Sequence, residues 1–225
     1  MNSAQRFAHR LKLCAAPPHV KSIARWAGGG RIRVLDVGCG FGAAQKFKRY
    51  FPECEYHGLD RTKEYLLAGD QQVMHRFYLA DLETSSLGEV PDNYFDAVVL
   101  SHVIEHLHEA EVCLQKLATK LKSGGIIYIE YPGARSLNVP HSGPGSFLHF
   151  HDDGTHVRVY SVVEVSNIML RAGCKIITAG TRRDLPRLLL TPVFAARGLL
   201  RYGNIFSGRL WDAFGIAEVV VARRR

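Results

Sequence analysis

The 225-residue sequence has no apolar run approaching the roughly 18–20 residues that span a bilayer, no internal repeat and no low-complexity tract. Its first twenty residues, MNSAQRFAHRLKLCAAPPHV, carry basic side chains but not the sustained apolar centre of a secretion signal, and read as a terminal helix. Cysteine is sparse: Cys14, Cys39, Cys54, Cys113 and Cys174 are scattered, odd in number and never spaced C-x-x-C. That pattern argues against a disulfide framework or a zinc ribbon and predicts a cytoplasmic location. Acidic residues run short at one end. From Arg182 onward there are nine Arg, no Lys and only Asp184, Asp212 and Glu218 as acids, which supplies most of the net charge of +8. The excess leaves nucleic acid, an anionic membrane and anionic substrates open as partners.

What is present is a strand–helix alternation. Strands are predicted at 32–37, 55–60, 76–81, 95–101, 126–131, 174–180 and 216–223. Helices are predicted at 3–14, 18–27, near 43–50, near 62–70, at 109–121 and at about 161–171, with Ser161 as an N-cap. Ser123-Gly124-Gly125 reads as a turn before the 126–131 strand. Alternation of this kind implies an α/β fold with a parallel sheet and right-handed crossovers. The chain reads as one domain, 1–225: N-terminal helices in 1–30, a Gly-, Pro-, Ser- and His-rich loop at 133–158 suited to covering a substrate, and an arginine-rich helical insertion at 182–215.

The glycine loop after the first strand, VLDVGCGFGAAQ, can be read in two ways. Gly38-x-Gly40-x-x-Ala43 fits the dinucleotide fingerprint. The same residues also read Asp36-x-Gly38-x-Gly40-x-Gly42, with an acid at the strand end. A carboxylate there would repel a pyrophosphate and suit a cationic ligand, which favours S-adenosylmethionine over NAD. Asp60, ending the second strand, is placed to accept ribose hydroxyls from either cofactor. Asp81, ending the third, is placed to meet an adenine amino group. The plainer reading of each acid is a turn or helix cap, but three at successive strand ends favour a site.

VLDVGCGFG, GLD, LADLE, FDAVVLSHVIEHL and LKSGGIIYIEYPG occur in the order typical of class I S-adenosylmethionine-dependent methyltransferases, and resemble most the branch that includes ubiquinone-biosynthesis O-methyltransferases. The resemblance covers about residues 30–180. It implies a Rossmann-like three-layer sandwich with a seven-stranded sheet, order 3-2-1-4-5-7-6, strand 7 antiparallel. It also implies that Asp36 and the backbone of Gly38, Gly40 and Gly42 hold the methionine end of the cofactor, Asp60 the ribose, and Asp81 with Leu82 the adenine. Ser101 and His102 would border the methyl-transfer centre. The reaction implied is methylation of a small molecule, most readily O-methylation of a hydroxyl or acid group. A cofactor-binding scaffold without turnover and an NAD-dependent oxidoreductase are the alternative readings.

Two histidine clusters could carry the acid–base chemistry. SHVIEH places His102, Glu105 and His106 on one face if a helix begins there. In ubiquinone O-methyltransferases a similar E-x-x-E-H stretch is associated with a divalent cation. Here His102 replaces the first Glu, and the sequence by itself offers no complete ligand set. FHDDGTHVRVYS resembles a segment that borders the substrate pocket in this branch. His156 is the first candidate for general base, with His102 and His106 behind it; a loop-stabilising hydrogen bond is its plainer role. Arg158 reads as a partner for an acidic group or for the loop itself, and His149 and His151 as solvent-facing.

In the insertion, Thr191 reads as a cap and Pro192 as the first turn of a helix ending at Gly203. A lid, an oligomer surface, or contact with a membrane or lipid-linked substrate through 186–211 all suit its mix of Arg and apolar residues. The lack of an aromatic–basic recognition motif argues against nucleic acid.

Overall fold

The computed structural model of the protein describes residues 13, 16–27, 31–141, 148–202 and 210–225. Apart from Leu13, the predicted helix at 3–14 lies outside these residues, as does the Gly203 stop.

The regular elements follow the predicted alternation. In chain order they are α1 (Pro18–Trp26), β1 (Arg33–Val37), α2 (Ala43–Lys48), β2 (Glu55–Asp60), α3 (Ala68–Val73), β3 (Arg76–Leu79), β4 (Phe95–Ser101) and α4 (Ala110–Lys120). Then come β5 (Leu121–Pro132), α5 (Val162–Arg171), β6 (Cys174–Thr181), α6 (Leu185–Leu189), α7 (Thr191–Tyr202), α8 (Trp211–Phe214) and β7 (Ala217–Arg224). The strands form one seven-stranded sheet, order β3-β2-β1-β4-β5-β7-β6. Strands β1 to β5 run parallel, while β7 is antiparallel to both β5 and β6.

Side-chain alternation along the strands separates two cores. Val37, Val98, Leu100, Ile127 and Ile129 pack under Leu114 and Leu117 of α4 and Val165, Ile168 and Met169 of α5. Val34, Tyr56, Ala97, Val99 and Tyr128 pack under Val20 and Ile23 of α1 and Ala44 and Phe47 of α2. The sheet is therefore the middle of three layers, and its strand C-termini open along one edge where loops converge.

Four local expectations change. The helix expected near 62–70 starts only at Ala68. Asp60 Oδ1 accepts from Thr62 N at 3.2 Å and Thr62 Oγ1 from Glu64 N at 3.2 Å, so side chains hold that stretch in turns. Ser123-Gly124-Gly125 is no separate turn but a bulge within β5: Phe95 faces Leu121 while Ala97 faces Ile126, and Gly124 takes φ +77°. The His102–His106 stretch makes a single 3-10 turn, Ile104–His106, rather than a helix. Thr191 donates its hydroxyl to Arg187 O at 3.3 Å instead of capping α7, because α6 ends immediately before it. Ser161 does cap α5, accepting from Glu164 N at 3.1 Å. Among the described residues no helix is long and apolar enough to cross a membrane.

Candidate functional site

Along the carboxyl edge of the sheet lie two adjoining cavities that share Gly38, Gly40 and His102. The first, of about 420 Å³, is lined among others by Asp60, Asp81, Leu82 and His106. The second, of about 450 Å³, is lined among others by His19, Asp36, Lys46 and Ser101. Open α/β sheets bind ligands at this edge, where the strand order reverses; here the reversal falls between β1 and β4.

The glycine loop is shaped by three different demands. Gly38 has φ +68°, and a Cβ there would stand 2.7 Å from Val103 Cγ2. A Cβ on Gly40 would find only Gly38 O, at 4.0 Å, so that glycine leaves open space on the cleft side. Gly42 lines neither cavity. It is the left-handed residue that starts α2, and its N–H is held by the buried Asp70 carboxylate at 2.8 Å. Asp70 also accepts from Gln45 N at 3.1 Å. It thus fixes the loop from α3, a role with no sequence signal because Asp70 sits in the helix whose start was displaced.

The three strand-end acids are all at the cavities but differ in state. Asp36 is buried and accepts from Tyr56 OH. Burial lifts its carboxyl to about 7; the Tyr56 hydrogen bond opposes this and the Asp60 charge adds to it. Asp60 spends Oδ1 on its turn, and Asp81 spends Oδ1 on Glu83 N and Thr84 N at 2.8 and 3.2 Å. The capping role and a place on the cavity wall thus coexist in both.

The structure joins the two histidine clusters. Glu105 O accepts from Val157 N at 2.8 Å, which stitches the Ile104–His106 turn to the later loop. His106 and His156 consequently have ring centroids 4.8 Å apart. His106 lines the first cavity, whereas His156 stands behind it and does not. His156 Nδ1 meets Phe150 O at 2.6 Å, and His106 Nδ1 meets Thr155 O at 3.2 Å. Glu105 is 1% exposed and its Oε2 has no hydrogen-bond partner. One donor atom each from Glu105, His106 and His156 falls within 4.8 Å of the others. Arg158 pairs with Glu164 at 2.6 Å. His149 caps the Phe150–Asp152 turn, accepting from His151 N at 3.1 Å, and packs its ring 3.7 Å from that of His141.

His102 has a different environment. It adopts φ +60°, uncommon for a residue with a Cβ. Its Nδ1 lies 3.2 Å from Glu105 Oε1 and its Nε2 3.4 Å from Glu130 Oε1. Burial would lower its pKa, but the two carboxylates outweigh that and raise it to about 10. Burial likewise works against the Glu130 charge, and is outweighed by His102 and Arg182, which bring Glu130 down to about 2. Arg182 continues the chain of charges to Asp212 at 3.0 and 2.8 Å, and Arg187 joins at 3.9 Å. The sequence reading missed Glu130, Arg182 and Asp212; the one available signal was an acid inside the aliphatic run IIYIEY. His19, also missed, borders the second cavity, where burial drives its imidazole down to about 4.

Comparison with known proteins agrees with this architecture. Residues 5–179 match the family model described as "Methyltransferase domain". Ubiquinone biosynthesis O-methyltransferase of Bradyrhizobium diazoefficiens is 28% identical over 44% of the chain and 40% of its own length. (S)-coclaurine N-methyltransferase of Papaver somniferum is 28% identical over 46% of the chain and 30% of its own length. The chain thus spans under half the length of these curated relatives. The S-adenosylmethionine-dependent methyltransferase of Mesorhizobium loti superposes with a TM-score of 0.61 at 18% identity, covering 92% of this chain and 96% of that one. With more than half its residues inside that family model, the chain belongs to the methyltransferase-domain family.

Proposed function

We propose that the chain methylates an oxygen, a hydroxyl or an acid group, of a small-molecule acceptor in the cytoplasm. The observation that carries this reading is the tautomer imposed on two neighbouring histidines. A carbonyl oxygen only accepts, so Phe150 O and Thr155 O call for N–H at Nδ1 of His156 and His106. In that tautomer the Nε2 of each ring is the nitrogen left to take a proton. His106 borders the cleft and can take the acceptor proton directly; His156, behind it, takes the proton through its neighbour or after a movement of the loop. His102 is charged and has no lone pair to offer, so in this reading it holds a developing acceptor oxyanion. Four of the five cysteines, Cys39, Cys54, Cys113 and Cys174, are buried free thiols, which supports the compartment.

S-adenosylmethionine, when bound, supplies an electrophilic methyl group on a sulfonium. Methyl transfer then asks the protein chiefly for alignment and exclusion of water. In this reading Asp36 faces the ligand ammonium, Gly38 and Gly40 admit the ligand backbone, Asp60 takes the ribose hydroxyls, and Asp81 with Leu82 borders the adenine. Ser101 stands at the end of β4 beside the reacting centre.

One observation favours a second component. The orphaned Glu105 Oε2, with His106 and His156 beside it, is a carboxylate–imidazole donor set suited to a divalent cation. Such an ion would be held by the three residues and would polarise the acceptor hydroxyl in place of an imidazole base, because it would take the same nitrogen lone pairs.

The test is incubation with methyl-labelled S-adenosylmethionine and a metabolite extract, read by mass spectrometry. A labelled small molecule is expected. Label on no small molecule, with S-adenosylhomocysteine still bound in calorimetry, supports the scaffold reading. Tight NAD binding without binding of an adenosyl-sulfur ligand would overturn the cofactor assignment.

A further inference from the structure

We propose that the α6–α7 segment is a docking surface for an anionic lipid bilayer. The proposal rests on the methyl-transfer reading only for its purpose, which is to bring the cleft to a small-molecule acceptor presented at the cytoplasmic face of the membrane.

Three observations carry it. The first is composition: between Asp184 and Asp212 the chain has Arg187, Arg197, Arg201 and Arg209 and not one acid or lysine. The second is exposure. Leu189 and Leu200 are 73% and 89% exposed, and Leu185, Leu190, Val193 and Leu199 are exposed with them. Pro192, Val193, Ala196, Arg197 and Leu200 form a shallow groove of their own rather than packing on the sheet. Monomeric proteins rarely leave so many large apolar side chains together in water.

The third is anchorage. The acids at both ends are consumed inside the protein: Asp212 by Arg182 and by Asp184 N, and Asp184 by Lys21. Arg183 donates to Asp212 O and Ala213 O. The segment is thus held by its ends at the carboxyl edge of the sheet, with Trp211 against His102 of the cleft at a ring separation of 4.6 Å. What its described residues present outward is leucine, valine and the exposed Arg197, the two chemistries, apolar and cationic, that an anionic interface takes up. Charge separates this occupant from a second copy of the chain. A two-fold contact sets a patch against itself, and would oppose arginines with no acid in the segment to answer them.

The test is co-sedimentation of the full chain with phosphatidylcholine vesicles, with and without about 30% phosphatidylglycerol, at about 0.1 M salt. Binding to the anionic vesicles alone is expected, weakening as salt rises. Leu189→Glu with Leu200→Glu should lower the partition coefficient at least tenfold, and Arg197→Gln should flatten the salt dependence. Both sites are exposed, so the folded state is checked by an unchanged thermal transition. Failure of the wild-type chain to sediment, or a double variant that sediments equally well, overturns the proposal. A dimer in analytical ultracentrifugation that the double variant dissociates overturns it in favour of a subunit contact. S-adenosylhomocysteine affinity, measured on the same samples, reports separately on the methyltransferase reading: its absence sinks that reading and leaves the vesicle result standing.

Discussion

Arg182 grips Asp212 with two parallel hydrogen bonds, Nε to Oδ1 at 3.0 Å and Nη2 to Oδ2 at 2.8 Å, while its remaining nitrogen donates to Glu130. One guanidinium therefore ties together the β6 end, the return of the insertion and the β5 carboxylate that faces His102. Arg182→Met leaves two buried carboxylates facing one another. A loss of about 3–5 kcal/mol in denaturant unfolding is expected, the usual cost of breaking a buried pair from one side. Residues 185–200 should also become susceptible to limited proteolysis; an unchanged unfolding midpoint would show that the network carries no stability.

If Asp36 faces the ligand ammonium as proposed, ligand affinity should depend on pH. The Asp36 carboxyl titrates near 7 because burial disfavours the charge. A ligand ammonium favours the ionised form, so below that pH binding must expel a proton. Affinity for S-adenosylhomocysteine should rise with pH up to about 7 and then level, with a slope of at most about tenfold per unit below it. The effect on the fold has the opposite sign. With its pKa raised from 3.8 to about 7, this buried acid contributes fully to stability at low pH, and that contribution is lost as pH climbs to about 7. Calorimetry across this range, with Asp36→Asn as the pH-insensitive control, checks both.

His156→Ala should cut turnover by roughly 10²–10⁴-fold if the residue is the base, with cofactor affinity little changed because His156 itself lines neither cavity. A folded variant with full turnover shifts the role to His106, and the same measurement on His106→Ala decides it.

Gly38→Ala tests the loop. The new methyl would meet Val103 Cγ2 at 2.7 Å and the backbone would hold φ +68°. A loss of about 1–3 kcal/mol is expected from strain of this kind, visible as a lower melting temperature. Val103→Ala should recover the steric part and leave the dihedral part. Full recovery would mean that the backbone conformation costs nothing.

That three acids stand along the cleft was legible because they lie at or just past the ends of successive strands, within one uninterrupted β–α alternation. Asp36, Asp60 and Asp81 could be located by counting strands. The sheet order could not be counted; it entered through resemblance, and the pairings of β7 bear it out. The acceptor side was harder. His106 and His156 were singled out separately, and contacts between residues distant in sequence, Val157 N to Glu105 O and His106 Nδ1 to Thr155, make them neighbours. Glu130, Arg182 and Asp212 are paired across 52 and 30 residues, and nothing local marks such partners. The failures at 62–67 and at Thr191 have one cause: short polar side chains bonded the nearest backbone group instead of serving the helix expected of them.

The place of β7 has a kinetic consequence. Strand β6 touches the sheet only through β7, which lies between it and β5. A ribosome makes β6 and the insertion before it makes 217–224, so for that interval β5 offers a bare edge and β6 has nothing to dock on. Long-range pairing of this sort is slow, and an open edge invites other chains. Arg182 and Asp212 close the same gap from its two sides, so β6, the insertion and β7 should assemble as one late cooperative unit and come apart as one.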